Sequence, residues 1–546
     1  MKKIIEKVVD ESLLFREVNK FEFLRSSLTE RSYSKADLAS FLISIYSFDL
    51  LKNKSIRHIL LASMPLKVLH EIARELNAIE KSIPYDQALI LSSISWSKSS
   101  GLPDLLNSAL LENYGLEIPI EYYPFESQYK RLPVETIVAE KHHSLFDFQL
   151  DLSIKLLNYL KSESNSVMLQ MPTGTGKTRT TMSAIITYLL EEKKNKDKSY
   201  VIWLAHTEEL CEQAINTFSS LWSQEGSGTK KIFRFYGNYH MSLKELTEGS
   251  IVFGSLQKFH SLSKKQDECF LKILKNARIL IFDEAHMALA PTYHGIIKKF
   301  IFGSNKCQLI GLSATPGRSS KIIEENKRLA AIFNNNLITT NFDGENTIDA
   351  LRKKGILSNI IREEVQGLSK FELSDKSLEH LLKYLDLPNE ALKTISKDPK
   401  RNKLIIGKIT ELSKQNIQSL VFSCSVDHAK YLSAMLNIRG INSGSITSDM
   451  RHSTRAKSIQ SFRDGICSVL VNYGILSTGF DVPNIGAIII TRPTSSIVLY
   501  NQMIGRGLRG PKVGGNEECR LIDVKDNIIG FGQQNEMYDH FSGYWN

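Results

Sequence analysis

The chain has 546 residues, 42% of them hydrophobic and 23% charged, which is too long for one ordinary core and too apolar for a disordered or fibrous protein. Its 69 Lys and Arg against 59 Asp and Glu leave a net charge of +10, which favours a polyanionic partner. The six cysteines are scattered without a CxxC pair, no run approaches ~18 uncharged apolar residues, and the start MKKIIEKVVDESLLF is unlike a signal peptide, so a reducing, cytoplasmic protein with no membrane partner is expected.

Residues 1–139 are expected to form an accessory domain. Apolar residues recur at helical spacing over 36–48 and 66–76, and 92–100 is Ser-rich. The run 56–63 reads as a strand and 65–78 as a helix, giving a mixed α+β domain, with a largely helical one as the alternative. His58 and His70 stand alone and read as structural, and no metal-spaced cluster or nuclease constellation is present. The domain's expected role is docking or specificity, with an unrecognised nuclease as the alternative. The Pro- and Tyr-containing 118–133 reads as a connector.

From 140 to 330 short apolar runs alternate with amphipathic segments, the pattern of an α/β fold with a parallel sheet. Strands are expected at 167–169, 200–205, 251–254, 279–282 and 308–312, with ligands at their carboxyl ends. After the first comes Met171-Pro172-Thr173-Gly174-Thr175-Gly176-Lys177-Thr178, with Met171 where the strict P-loop has Gly. Gly174 and Gly176 let backbone amides turn towards phosphate oxygens, Lys177 reaches the β and γ phosphates of ATP, and the Thr178 hydroxyl is placed to ligate Mg²⁺. After the fourth strand Asp283 and Glu284 offer one acid for Mg²⁺ and one to orient and deprotonate water. Ser313 and Thr315 follow the fifth.

These stretches resemble motifs I, II (Asp283-Glu284-Ala285-His286) and III of the superfamily 2 helicases and translocases. The sequence is most similar to the branch of type III restriction subunits, XPB-like and RadD-like proteins, where a DEAH box, Leu-Ser-Ala-Thr-Pro and a GRGLR ending occur together. The resemblance implies two tandem RecA-like domains, with lobe one over 140–330 and lobe two, with a short tail, over 331–546. It makes Gln149 the reader of adenine, and it places His206, Ser255 and Gln257 along a nucleic-acid backbone. For His206 and Gln257 an ordinary loop role stays equally open.

Residues 325–350 read as an interlobe linker and 374–403 as a helical addition. Strands are expected at 419–422, 441–446, 468–471 and 487–491. The stretch 419–429 resembles motif IV. Residues 477–483 resemble motif V, which would bring Thr478 and Gly479 to nucleic acid and Asp481 to the ribose. Residues 502–509 resemble motif VI: Gln502 belongs to the catalytic set, and Arg506 and Arg509 are one helical turn apart, with Arg509 as the arginine finger.

The function so implied is a nucleic-acid-dependent ATPase using Mg²⁺, a DNA helicase or translocase in repair, restriction or phage defence. The alternatives are an RNA helicase, the motor subunit of a defence complex with its nuclease on another chain, and a nucleic-acid-binding scaffold with a dead ATPase. A protein partner of the N-terminal domain is also expected.

Overall fold

The computed structural model describes residues 1–21, 32–123, 134–138, 145–162, 164–192, 200–239, 249–265, 267–303, 307–317, 323–342, 344–366, 377, 380, 387–474, 484–494 and 496–525. Two largely parallel sheets with flanking helices follow one another along the chain in the tandem RecA-like arrangement. The first contains β1 (Val134–Val138), β2 (Ser166–Gln170), β3 (Tyr200–Ala205), β4 (Thr229–Phe235), β5 (Ile251–Ser255), β6 (Ala277–Asp283), β7 (Gln308–Ser313) and β8 (Leu337–Thr339), in the order β1-β4-β5-β3-β6-β7-β2-β8. Only β1 runs antiparallel to its neighbour. The second contains β9 (Asn359–Gln366), β10 (Ser419–Phe422), β11 (Ser443–Ile446), β12 (Val469–Asn472), β13 (Ala487–Ile490) and β14 (Glu518–Lys525), in the order β11-β12-β10-β13-β14-β9.

The central strands are continuous apolar runs because helices cover both faces: every residue of β2, β3 and β7 is buried. Strands with interleaved charge are harder to read. Lys230, Lys231 and Arg234 lie within β4, and the second sheet's edge strand β9 carries Arg362, Glu363 and Glu364.

Three expectations need correction. Residues 54–62 form a helix, not a strand: Ile56, Ile59 and Leu60 share its buried face, and Asn53 caps it by accepting from the amides of Ser55 and Ile56. The described residues of 1–123 contain helices and no strand, so the helical alternative forms. Residues 325–350 are no simple linker, since the helix Ile323–Ile332 is followed by β8, which pairs with β2. The first sheet thus extends past residue 330, and β1, at 134–138, also belongs to it although it precedes residue 140.

The N-terminal helices precede lobe one in sequence but pack on lobe two. Their core is continuous with one face of the second sheet through Val421, Val469, Ile489 and Ile522. The helix Lys35–Tyr46 lies on Val426–Ile438, and each is buried on nearly all sides: Leu38 to Leu42 on the first and Leu432 to Leu436 on the second. Such helices are core elements rather than amphipathic surface ones. Asn437 Nδ2 donates to Ser44 Oγ at 2.8 Å across the junction. Inside the helical domain, fully buried Arg57 donates to the carbonyls of Leu51, Ser92 and Ile94, which tie helix ends together. No helix among the described residues is long and apolar enough to cross a membrane.

His428, 2% exposed, sits in the core of lobe two. Its Nδ1 accepts from the Cys424 amide at 3.2 Å and its Nε2 lies 3.0 Å from Asn402 Oδ1, whose own amide nitrogen donates to Ser396 O. That arrangement needs the neutral ring, and burial, helped by Arg401, lowers the imidazole pKa to about 3. Because the folded pKa is depressed, the unfolded chain binds the extra proton below about pH 6.5, and stability falls as pH drops from there towards 3. Denaturant unfolding at pH 7.5 and 5.5 is expected to show this loss, up to ~1.4 kcal/mol per pH unit, and His428→Gln to flatten that part of the slope.

Candidate nucleotide site between the two sheets

Strand register brings the separated motifs to one edge. Gln170 pairs with Ser313, Leu312 with Asp283, and Ala205 with Ser255. β7 lies between β2 and β6, so its tail separates the P-loop from the DEAH turn and touches both. The Met171 amide donates to Ser313 O at 3.2 Å, and Ser313 Oγ lies 3.4 Å from His286 Nδ1. Ser313 Oγ also donates to Thr315 O and accepts from the Thr315 amide. Both residues are buried between the P-loop and the DEAH turn.

Gly174 and Gly176 have φ of +85° and +86°, a left-handed backbone that turns the loop between β2 and the helix Lys177–Glu192. Buried Gln149 donates from Nε2 to Thr175 O at 2.8 Å and accepts from the Phe146 amide at Oε1, so its amide grips the loop backbone. Thr175 Oγ1 donates to Pro172 O at 2.7 Å. Lys177 Nζ donates to Met171 O at 3.3 Å. Burial lowers the Lys177 pKa, with Arg506 acting in the same direction and Glu284 and Asp283 opposing. Thr173 and Thr178 are partly buried beside it.

Asp283 is 7% exposed and its Oδ1 accepts from the Glu284 amide at 3.0 Å. Burial, and then the charge of Glu284, raise its carboxyl pKa. For Glu284 burial acts in the same sense, but His286, Lys177, Arg506 and His206 together outweigh it and hold the carboxyl below its usual range. Glu284 Oε2 lies 3.4 Å from His286 Nδ1. Glu284 has φ of +54°, which for a residue with a Cβ costs about 1–3 kcal/mol and is found where backbone strain serves a site.

Lobe two closes over this edge. The helix Ile497–Ile504 stops at Gly505, so Arg506 and Arg509 are not on one helix face, contrary to expectation. Gly505 lies against Thr173 so closely that a Cβ there would overlap the threonine side chain. Arg509 forms an antiparallel bridge with Leu357, and the Ser358 amide donates to Leu508 O at 2.9 Å. The stem of Arg509 passes within 3.8 Å of where a Cβ on Gly174 would stand. Arg506 Nε donates to Gln502 O at 3.3 Å, and its charge is felt at Lys177, Asp283 and Glu284.

His206, at the end of β3, has its imidazole pKa lowered by burial, against the opposing charges of Glu284 and Glu209. Exposed Gln257 donates from Nε2 to His206 O at 2.9 Å, whereas Ser255 is buried and accepts from the Lys258 amide. Thr478, Gly479 and Asp481 lie outside the described residues. Sequence reasoning missed one contact between the lobes: Arg455 Nη1 pairs with Glu209 Oε1, residues 246 apart in the chain. No local signal marks Arg455, though Glu209 lies in the stretch 204–210, with His206, that resembles motif Ia.

Gly176→Ala is expected to destabilise the chain by about 1–3 kcal/mol in urea unfolding, because φ is positive and the new Cβ would lie 2.5 Å from Gln149 Nε2. With Gln149→Ala added, the two losses should sum to less than their separate values.

Residues 142–318 match the family described as the type III restriction enzyme res subunit, and residues 400–510 the helicase conserved C-terminal domain. The putative ATP-dependent helicase IRC3 of Saccharomyces cerevisiae is 27% identical over 394 residues, which is 69% of this chain and 51% of the relative. The putative mitochondrial ATP-dependent helicase irc3 of Schizosaccharomyces pombe is 28% identical over 375 residues, 68% and 56% of the two chains. The chain thus spans about half the length of these curated relatives. A fragment structure of a putative HsdR subunit of a type I restriction enzyme from Vibrio vulnificus YJ016 superposes with a TM-score of 0.49 at 17% identity, over 71% of this chain and 65% of that one. With the ATP-binding lobe and the C-terminal lobe matched in order, this chain belongs to the superfamily 2 helicases, in the restriction-subunit-like branch.

Proposed function

We propose that the chain is a nucleic-acid-dependent ATPase that moves along DNA as a helicase or translocase, in repair, restriction or phage defence. The observation that carries this reading is the convergence of Lys177, Asp283 and Glu284 from one lobe with Arg506 from the other at the P-loop. The naming of both yeast relatives as ATP-dependent helicases supports it. The positive net charge favours a polyanionic partner, and the restriction-subunit match favours DNA over RNA. In domain terms, a helical accessory unit precedes two motor lobes, with the borders near 139 and 330 shifted to include β1 and β8 in the first. Six cysteines with none paired support the reducing, cytoplasmic setting.

In this reading the P-loop amides and Lys177 hold the β and γ phosphates, Gln149 meets the base and Asp481 the ribose. Thr178 and Asp283 supply hard oxygen ligands of the kind Mg²⁺ takes, and the described residues contain no cluster of three His, Cys, Asp or Glu that would bind a metal without the nucleotide's help. Bound there, the ion neutralises phosphate charge. Glu284, kept ionised by the cations around it, orients the attacking water and takes its proton. Arg506, Arg509 and Gln502 approach from lobe two to stabilise charge on the transferring phosphoryl group. Closing the lobes completes the site, and nucleic acid bound along His206, Ser255, Gln257, Thr478 and Gly479 favours the closed state. Ser313 and Thr315 couple the two.

ATP hydrolysis by the purified chain, alone and with single-stranded, duplex or forked DNA or with RNA, tests the reading. DNA is expected to stimulate it about tenfold or more, and Lys177→Ala or Glu284→Gln to abolish it. Arg506→Ala and Arg509→Ala should each lower kcat by ~10³ or more, and removal of Mg²⁺ with EDTA should stop turnover. Stimulation by RNA alone would transfer the motor to RNA, and turnover indifferent to Lys177→Ala would sink the ATPase reading.

A further inference from the structure

We propose that Asp49, in the N-terminal helical domain, is a positioning residue for the motor: it holds the helix His452–Arg463 of lobe two where Arg455 can bridge to Glu209 of lobe one. The inference rests on the ATPase reading above for its consequence, but not for its geometry.

The helix His452–Arg463 starts without help from its own sequence. Arg451 at its N-cap makes no side-chain capping bond and its first turn contains no acid. The N-terminal domain supplies what is missing. Thr454, in that first turn and 2% exposed, donates from Oγ1 to Asp49 Oδ2 at 2.6 Å, while Lys52 Nζ pairs with the other carboxylate oxygen at 2.6 Å. An anion at this end also complements the helix dipole. One turn on, Lys457 donates to Glu121 O at 2.6 Å and lies 5.7 Å from the centre of the Phe48 ring. Thr454, Lys457 and Ser458 share a face by helical spacing, and that face meets the N-terminal domain.

Arg455, one residue past Thr454, points about 100° around the helix, to lobe one. Its Nη1 pairs with Glu209 and its Nη2 donates to Met450 O at 3.3 Å. Glu209 lies three residues beyond His206, on the segment leaving β3 beside the DEAH turn. A partly exposed pair of long side chains gains little unless one end is held in place beforehand. Here the holding group comes from a domain that precedes lobe one in sequence but packs on lobe two, so that domain biases the approach of the lobes.

Cross-linking gives a direct test that does not need ATP turnover. In the full chain with Cys269→Ser, the pair Glu209→Cys and Arg455→Cys is treated with a short bis-maleimide, with and without Asp49→Ala. Cross-linking is expected to slow about fivefold when Asp49 is lost, and equally with Thr454→Val, which removes the same bond from its other side. An unchanged rate in both overturns the proposal, as does a slowing accompanied by lost helical signal at the assay temperature. Asp49→Asn, which keeps an acceptor for Thr454, should restore most of the rate. In the native-sequence background, Asp49→Ala should lower the DNA-stimulated kcat about fivefold with the KM for ATP unchanged, and a raised KM at constant kcat would contradict positioning. Should the chain show no ATPase that depends on Lys177, the functional reading fails while cross-linking still decides this one.

Discussion

Gly505 has no side chain, and the backbone that ends the last helix of lobe two therefore lies directly on Thr173 of the P-loop. The rest of the site depends on that apposition. It brings Arg506 close enough for its charge to be felt at Lys177, Asp283 and Glu284, and it carries the stem of Arg509 past Gly174. Adjacent carboxylates at a buried strand end would repel each other and resist ionisation. Cations contributed by both lobes are what keep Glu284 charged while Asp283 beside it is pushed towards its protonated form. The charge of Glu284 rests first on His286 and Lys177 of its own lobe, and Arg506 of lobe two adds to them.

The sheet order explains why small hydroxyl residues sit at the centre of this arrangement. Because β7 runs between β2 and β6, any displacement of the P-loop relative to the DEAH turn must pass through Ser313 and its neighbours. Both Ser313 and Thr315 are buried and hydrogen-bonded to each other, which suits the coupling role proposed for them.

The helical domain is joined to lobe two by a shared apolar core and by hydrogen bonds at its rim. The helices Lys35–Tyr46 and Val426–Ile438 each bury nearly their whole circumference, so separating them would expose apolar surface on both. Domain and lobe accordingly behave as one packed body, and the polar contacts of Asp49, Lys457 and Ser44 set its orientation.

Much of the candidate site was legible because its chemistry is written in contiguous residues. The P-loop glycines, Lys177 and the Asp283-Glu284 pair each follow an apolar strand, and strand-end position is enough to bring them to one edge of a parallel sheet. Other features needed the tertiary structure. The run 56–63 has apolar spacing that suits strand or helix, and packing against neighbouring helices decided for the helix. β4 and β9 carry too much charge to announce themselves, since a sheet neighbour supplies what their composition lacks. Arg506 and Arg509 have helical spacing, yet the helix ends at Gly505, at the point where the chain lies against the Thr173 side chain of the other lobe. The docking of the first domain on lobe two, and the pairing of Glu209 with Arg455, join residues hundreds of positions apart. Sequence alone determined which residues are candidates for phosphate and acid chemistry, because that pattern is local. Only the tertiary structure decided which lobe each cation serves, because that follows from the surfaces that exclude water together.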